Sequence, residues 1–434
     1  MRAWSRHRTA LLLACTLAPI VTPEARAPAP PARITIVIDS ALAPPVDHSV
    51  GRLLTALSSK GLAAERTQRL EDAGGEHVLV LGRCSASRAV RTLVRKARAR
   101  TPQDAEALLV RNVPWNGRHA VAICGADDRG LMYAVHDIAD QIRLAADGAE
   151  ALARIPDASE SPDVNVRSVT KMLMNRAVVE EYLYSEDYWD KYLTMLARNR
   201  YNTFTLMMGY GAAGYFEPPY PFLFDVAEFP VKVVGLTARE QQRNLRMLNR
   251  IIEMTHARGL DFTLALWTHI FVPGRNNSVS APRSGLPTGL TEDNLVPYTR
   301  VALAKLLQLV SGIDRLQFRV HVESSVTLPQ QKRFWGEVFK VLEAHPRRIP
   351  VDMRLKGLSD DLIEAALASP LDVRLTTKHW GEELGLPYHP TQDTLVNKYE
   401  RRHTYADILT YPRRYDILWR LWSHGTVKVL LWGS

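Results

Sequence analysis

The 434-residue chain contains only three cysteines, and they form no metal-binding pattern. Cys84 and Cys124 each follow a predicted strand in the same part of the chain, with no CxxC spacing and no histidine close by. We expect them to be either two buried thiols or, in an exported protein, a disulfide. The cysteines therefore give no reason to expect a metal site or a cofactor.

The chain also lacks a hydrophobic segment long enough to cross a bilayer. Its one apolar run near the amino terminus, Ala10 to Val21, is too short for a stable spanning helix. Arginines at positions 2, 6 and 8 precede that run, which is the arrangement of an export signal. Residues 1–27 are thus predicted to be a signal peptide, and residues 28–32, rich in proline and alanine, a tether.

Two processing sites are compatible with this signal. The run Leu12-Leu13-Ala14-Cys15 resembles a bacterial lipobox, in which Cys15 is acylated, and Ala25-Arg26-Ala27 has the small-x-small pattern of ordinary cleavage. The protein is accordingly expected in the periplasm, on the outer membrane as a lipoprotein, or outside a bacterial cell. Contact with a membrane is expected only through such a lipid anchor.

Strong charge of one sign is missing as well. The formal net charge is +9, with 46% hydrophobic and 23% charged residues, which is typical of a soluble globular protein. One basic block, Arg91 to Arg100, places Arg91, Arg95 and Arg98 on one helix face, and we interpret it as a solvated helix. No nucleic-acid-binding motif accompanies it, so no nucleic-acid partner is predicted.

The length favours two domains, and the strand and helix patterns divide accordingly. Residues 33–147 alternate strands, such as the one carrying Ile34, Ile36 and Ile38, with amphipathic helices, which predicts a small α/β domain. Residues 148–163, with two prolines, are expected to be a linker.

Residues 164–434 continue as strand–helix units. The predicted strands are 166–173, 202–208, 261–267, 316–322, 350–355 and 372–377, with weaker candidates at 405–409 and 427–432. Helices are predicted between them, most clearly at 187–200, 238–258, 294–310 and 329–344, with Gly259 and Gly312 at expected helix ends. Eight such units predict a (β/α)₈ TIM barrel, whose site lies at the carboxyl ends of the strands. Because the sequence stops after the eighth strand, the barrel is expected to be truncated or to be closed by another element.

The segment after the predicted sixth strand has the highest density of side chains suited to catalysis and ligand binding. Lys378, His379, Trp380, Glu382 and Glu383 lie within six residues of one another, which suits neither a core nor an ordinary solvated loop. An aromatic ring beside carboxylates and cations provides an apolar platform with groups for proton transfer and hydrogen bonding, as a sugar site needs.

Other predicted strand ends add residues of the same types. The residues expected to contact substrate, together with Lys378, His379 and Trp380, are Tyr210, Trp267, His269, His321, Arg354 and Trp432. The loop after strand two adds five rings, at positions 215, 216, 220, 222 and 224. This pattern indicates a pocket for a carbohydrate.

Glycoside hydrolysis requires two carboxylates on opposite sides of that pocket. Glu323 is the predicted proton donor, because it follows an apolar strand, where loss of solvation raises the pKa of a carboxyl group. Glu382 or Glu383 is predicted as the second carboxylate, and Asp407 is an alternative. Lys378, His379, Arg354 and Lys356 are candidates for binding a substrate carboxylate or hydroxyls.

A family resemblance agrees with this reading. The segment Gly125 to Ile142, with Asp127, Arg129-Gly130-Leu131 and Tyr133-Ala134, resembles the small α/β domain before the barrel in family 20 hexosaminidases and family 67 α-glucuronidases. That domain is accessory and carries no catalytic residue. A hexosaminidase would show an Asp-Glu pair after strand four, whereas Val322 precedes Glu323 here.

The barrel is more similar to α-glucuronidases of families 67 and 115, in which the acid is a glutamate after strand four, matched by Glu323. The later carboxylates of those enzymes are matched only loosely by Glu382 or Glu383, and their helical carboxyl-terminal domain has no counterpart here. The resemblance implies an inverting exo-hydrolase of uronic-acid-substituted plant polysaccharide.

Two other functions fit the same residues. A surface carbohydrate-binding protein would keep the aromatic platform without catalysis. A metal-dependent isomerase or lyase would use His269, His321, Glu323 and His379 as ligands.

Overall fold

A computed structural model describes residues 33–173, 176–208, 219–266, 287–318, 328–354, 360–378 and 417–420, together with 320, 326 and 358. These residues form a six-stranded sheet, a seven-stranded sheet and a two-stranded ribbon. Among the described residues, no helix combines the length and apolarity needed to span a bilayer.

The six-stranded sheet has the strand order β2-β1-β3-β5-β4-β6, in which β4 runs antiparallel to both of its neighbours. Its elements in chain order are β1 (Arg33–Val37), α1 (Pro44–Ser59), β2 (Ala63–Thr67), β3 (His77–Arg83), α2 (Arg88–Lys96), β4 (Leu108–Trp115), β5 (Arg118–Gly125), α3 (Asp128–Leu144), α4 (Gly148–Ala153) and β6 (Ala158–Glu160). Helices α1 and α3 cover one face and α2 covers the other. Strand β3 is therefore apolar on both faces, with Val78 to Leu81 fully buried.

The segment expected to be a linker is part of this sheet, which corrects the sequence prediction. Residues 148–153 form α4, whose first turn is capped by the Asp147 carboxylate, and residues 158–160 form β6, which pairs with β4. Pro156 lies between the two elements and Pro162 beyond them, where neither interrupts a hydrogen-bonded pair. The prolines thus mark the ends of short elements.

The two cysteines of the small sheet are both buried and both free thiols. Cys84 follows β3 and Cys124 lies in the adjacent strand β5, where the Cys84 N–H donates to the carbonyl of Gly125 at 3.0 Å. A hydrogen bond between the two side chains lowers the pKa of Cys84 and raises that of Cys124. Of the two sequence alternatives, the structure has the buried thiol pair.

The seven-stranded sheet has the order β15-β14-β13-β12-β10-β8-β7, and all of its strands are parallel. This half of the chain comprises β7 (Ser168–Met172), α5 (Arg176–Leu183), α6 (Glu186–Arg198), β8 (Thr203–Met208), β9 (Lys232–Val233), α7 (Ala238–His256), β10 (Asp261–Leu266), β11 (Pro287–Thr288), α8 (Glu292–Leu309), β12 (Arg315–Phe318), α9 (Leu328–Glu343), β13 (Val351–Arg354), α10 (Asp360–Ala368), β14 (Val373–Lys378) and β15 (Ile417–Arg420). Strands that follow one another in sequence are neighbours in space, with helices between them. This is the arrangement of a TIM-like barrel, which confirms the predicted fold class.

The first six predicted barrel strands correspond to observed ones, although β12 ends at Phe318, four residues before its predicted end. The seventh position in the sheet is occupied by β15, which the sequence did not indicate. The candidate strands at 405–409 and 427–432 lie outside the described residues.

Alternation along the barrel strands separates two environments. Phe204, Phe262 and Phe318 point outward into a core shared with the helices, where Trp189 and Trp335 are fully buried. The intervening positions face inward and are mostly polar: Ser168, Thr203, Thr205, Asp261, Thr263, Arg315 and Asp352. The barrel interior can therefore hold charge without disturbing the hydrophobic core.

The small domain packs against the amino ends of the barrel strands. The Arg129 Nε donates to the carbonyl of Gly259 at 2.6 Å, and its Nη2 contacts the carboxylate of Asp261, the first residue of β10, at 2.5 Å. Gly259 has φ +70°, and a Cβ there would lie 3.2 Å from Met132 of α3, so both conformation and proximity favour glycine. The carboxyl ends of the strands point away from the small domain.

Candidate active site

The carboxyl end of the barrel carries a basic residue on three adjacent strands. Arg354, Lys378 and Arg420 are the last residues of β13, β14 and β15. Arg354 pairs in register with Thr376, and Lys378 pairs with Arg420. Cationic positions are thus clustered along one arc of the edge where TIM barrels keep their sites.

Arg354 is the predicted site residue whose side chain the structure describes. It lies on the same face of β13 as Asp352, which lines the interior, whereas Val351 and Met353 belong to the outer core. Only 7% of its surface is exposed. A buried guanidinium near a barrel mouth suits bidentate recognition of a carboxylate.

A charged network lies one layer below Arg354. The Asp352 carboxylate, with 2% of the residue exposed, accepts hydrogen bonds from Arg315 at 3.1 Å and from two nitrogens of Arg374 at 3.0 and 3.1 Å. Arg315 and Arg374 thus share one carboxylate. Because the strands are in register, the network fixes β12, β13 and β14 beneath the mouth.

Arg315, Asp352 and Arg374 also line a polar cavity of about 210 Å³ that extends to the amino end of the barrel. Glu106 lines it and accepts hydrogen bonds from Arg129, Tyr133, Arg167 and Asn202. Asp261 and Asp314 are also engaged, with Arg129 and His256 respectively. Every carboxylate named here has a partner, and the region lies at the end of the barrel that is associated with stability.

The motif that carried the family resemblance belongs to this amino end. Asp127 caps α3 by accepting from the Gly130 N–H at 2.9 Å, and its other oxygen accepts from the Glu106 N–H at 2.8 Å. Arg129 joins the barrel, as described above. The motif therefore has a structural role in this chain.

Three of the rings in the loop after strand two are core residues. Tyr220, Phe222 and Phe224 are at most 7% exposed and belong to the main hydrophobic cluster of the barrel. Tyr220 makes an edge contact with Tyr298 of α8, at 6.3 Å between ring centroids. This corrects the expectation that all five rings contribute to a sugar platform; positions 215 and 216 lie outside the described residues.

The structure therefore brings two of the predicted site residues, Arg354 and Lys378, to one edge of the sheet. For Lys378 the placement is that of its backbone in β14. The other predicted residues lie outside the described residues: Tyr210, Trp267, His269, His321, Glu323, His379, Trp380, Glu382, Glu383 and Trp432, as well as Lys356 and Asp407.

Sequence reasoning missed the interior network of Arg315, Asp352 and Arg374. The signal was present, because a charged residue at an inward position of an otherwise apolar strand is unusual unless it is paired. Arg420 was missed because β15 was not predicted. Within the described residues, no group of three or more His, Cys, Asp or Glu side chains is placed to hold a metal ion.

Comparison with known proteins shows which solved structures share this fold. No protein-family model matches the chain, and no curated protein matches its sequence. Among solved structures, a GH138 enzyme that targets pectin rhamnogalacturonan II aligns with a TM-score of 0.57 and 15% identity over 81% of this chain. This chain spans 38% of that enzyme's length.

Two further structures align with lower scores. The GH20 chitobiase of Flavobacterium johnsoniae has a TM-score of 0.48 and 12% identity, over 80% of this chain and 51% of that one. CpGH84D has a TM-score of 0.45 and 12% identity, over 79% and 51%. The fold relationship rests on the GH138 enzyme: the chain combines a small α/β domain with a TIM-like barrel, as part of that glycoside hydrolase does.

Proposed function

We propose that this chain is an exported glycoside hydrolase that cleaves uronic-acid-containing plant polysaccharide, with an α-glucuronidase-like specificity. The observation that carries the proposal is the arc of basic positions at the carboxyl ends of β13, β14 and β15, on a fold shared with a pectin-targeting hydrolase. A neutral sugar offers no charge for such an arc to bind. A uronic acid offers a carboxylate, which guanidinium groups bind with paired hydrogen bonds.

The proposed reaction uses two carboxylates from segments that follow β12 and β14. Glu323, five residues after the end of β12, protonates the leaving oxygen. Glu382 or Glu383, four and five residues after β14, activates water or attacks the anomeric carbon. Because β13 lies between these strands, the axes of β12 and β14 are about 10 Å apart, twice the spacing of neighbouring strands.

That spacing allows side chains from the two segments to converge on one glycosidic bond. Carboxyl groups roughly 6.5–9.5 Å apart leave room for water and invert the anomeric centre, whereas a separation of about 5–5.5 Å gives retention. Inversion agrees with the α-glucuronidase resemblance. The anomer of the first product, read by NMR before it mutarotates, distinguishes the two.

Hydrolysis of aryl glycosides and of uronic-acid-decorated xylo-oligosaccharides tests the proposal. We expect release of a uronic acid by the wild type and no release by Glu323→Gln, with oligosaccharide binding retained in both. Binding without release by the wild type would overturn the proposal in favour of a non-catalytic carbohydrate-binding protein. Activity that disappears on chelation and returns with a divalent metal would favour the metal-dependent alternative.

A further inference from the structure

The small domain has a basic face that the proposed reaction does not use. Between residues 88 and 100 the chain has six cations and no carboxylate: Arg88, Arg91, Arg95, Lys96, Arg98 and Arg100. All six are exposed, and they lie on α2 and the turn that follows it. We call this surface, with Trp115 and Arg118, the α2 face.

Among the described residues, no carboxylate forms an ion pair with any of these six cations. Some carboxylates of the small domain pair elsewhere, such as Asp128 with Arg83 and Asp157 with Arg111. The Asp39 carboxylate lies at the start of α2, where it accepts a hydrogen bond from the Ala89 N–H at 2.8 Å. Arg91 donates only to backbone carbonyls, those of Cys84 and Ser85. A helix that needed charge only for solubility would ordinarily carry both signs, with stabilising pairs four residues apart.

An aromatic ring lies within the same surface. Trp115, at the end of β4, is partly exposed, and the Lys96 ammonium lies 5.1 Å from its ring centroid. Arg118 pairs with Trp115 across the β4–β5 hairpin. A flat ring beside ammonium and guanidinium groups offers both an apolar surface for a sugar ring and cations for its carboxylate.

The spacing of the cations suits a linear polymer. Arg88, Arg91 and Arg95 are three and four residues apart, so they form a row about 10 Å long at a rise of 1.5 Å per residue. Such a row is long enough to contact consecutive units of an extended chain. Single uronic acids would meet only one or two of these cations at a time.

The position of the α2 face separates it from the active site. Helix α2 covers the sheet face opposite α1 and α3, and the domain itself lies at the amino ends of the barrel strands. A ligand on α2 therefore leaves the carboxyl-end mouth of the barrel open. Binding there would hold the protein on a polymer while a different part of the polymer reaches the site.

We infer that the α2 face binds an acidic polysaccharide built from uronic acids. The choice of a polysaccharide over other polyanions rests on the proposed function and on Trp115. Attraction between a row of exposed cations and a polyanion is screened by salt, so binding should weaken as ionic strength rises.

Affinity electrophoresis of the full chain through gels containing polygalacturonate tests this inference. The triple variant Arg91→Gln/Arg95→Gln/Arg98→Gln should bind about tenfold more weakly, since three exposed ionic contacts of roughly 0.5 kcal/mol each are lost. A matched control is Arg239→Gln/Arg243→Gln/Arg246→Gln on α7, which has the same spacing and charge change at exposed positions. The control should migrate like the wild type.

Two further measurements make the result decisive. Fully methyl-esterified pectin should not retard the protein, and Trp115→Leu should weaken retardation by polygalacturonate while leaving the circular dichroism spectrum unchanged. Equal loss of binding in both triple variants, or tighter binding to RNA than to polygalacturonate, would overturn the inference. Glu323→Gln should bind polygalacturonate like the wild type, so binding is scored separately from any failure of hydrolysis.

Discussion

The side-chain amide of Asn202 donates a 2.8 Å hydrogen bond to the carboxylate of Glu106, joining the start of β8 to the small domain. Glu106 is 9% exposed and also receives hydrogen bonds from Arg129 and Arg167. The Glu106 carboxylate thus connects Arg129 of α3 with Arg167 and Asn202, which belong to the barrel half of the chain. Glu106 therefore joins the barrel to the small domain through hydrogen bonds and ion pairs, in addition to the apolar contact of Ala197 with the core of the small domain.

Replacement of Glu106 by glutamine should weaken this junction. The amide keeps the size of the side chain but leaves Arg167 without its countercharge, while Arg129 keeps Asp261, so we expect the free energy of unfolding to fall by about 1.5–3 kcal/mol. Urea unfolding followed by tryptophan fluorescence measures the change. Glu150→Gln, which removes an exposed pair with Arg154, is the control and should change stability by less than about 0.5 kcal/mol. Equal effects of the two substitutions would refute the role of Glu106.

His136 should make the protein less stable in mild acid. It is 1% exposed on α3, and burial, helped by the nearby charge of Arg52, lowers its pKa to about 3. In the unfolded chain the imidazole takes up a proton below about pH 6.5, but in the folded chain it stays neutral until near pH 3. Stability is therefore complete above pH 6.5 and declines as the pH falls, by roughly 2 kcal/mol at pH 5 from this group.

The variant His136→Leu tests that linkage. It removes two ring nitrogens that have no hydrogen-bond partner among the described residues, so stability at pH 7 should be unchanged or higher. The loss between pH 7 and pH 5 should shrink by roughly 2 kcal/mol, leaving the contribution of His48, whose pKa burial also lowers. Urea titrations at both pH values measure it, and an unchanged pH slope in the variant would show that His136 is protonated in the folded state.

Asp352→Ala should be among the most damaging substitutions in the barrel interior. It leaves Arg315 and Arg374 facing each other without their shared carboxylate, which costs about 3–5 kcal/mol for a buried pair. The comparison is Asp187→Ala, which removes a pair with Lys191 in which both side chains are 73% exposed, and should cost under about 0.5 kcal/mol. Thermal unfolding distinguishes them; a small effect of Asp352→Ala would mean that the interior is hydrated enough to solvate both arginines.

Cys84 and Cys124 should resist thiol reagents in the folded protein. Both are at most 4% exposed, within the core between α2 and the small sheet. We expect labelling by a water-soluble disulfide reagent to follow unfolding, with both thiols reacting in urea and neither reacting quickly in buffer. Rapid labelling of the native protein would contradict the burial of this pair.

The sequence was sufficient for the architecture because the signals there are local. Alternation in strands such as Asp261–Leu266 and helical spacing in Ala238–His256 report directly which side is buried. The short strand Ala158–Glu160 was missed because its exposed residues carry no such pattern, and only pairing with β4 defines it. Long-range pairing is invisible in the local pattern.

The site was harder to predict for a related reason. Residue type identified Arg354 and Lys378 as candidates, because their cationic groups could bind a substrate carboxylate or hydroxyls. The roles of Tyr220 and Asp127 could not be predicted from residue type. In a sequence, an aromatic residue that packs in the core cannot be distinguished from one that binds a ligand, and a carboxylate that caps a helix cannot be distinguished from a catalytic one. Their structural roles follow from the contact of Tyr220 with Tyr298 and of Asp127 with Gly130, and these contacts form only in the folded chain.

The most direct test of the proposed hydrolase is the release of free uronic acid from a uronic-acid-decorated xylo-oligosaccharide by three proteins. These are the wild type, Glu323→Gln and Glu343→Gln, the last a matched change at an exposed position of α9. We predict equal release by the wild type and Glu343→Gln, and a loss of at least about a hundredfold in Glu323→Gln, as expected when a general acid is removed. Equal release by all three would show that Glu323 is not the acid. No release by any of them, from any substrate of the panel, would contradict the hydrolase assignment itself.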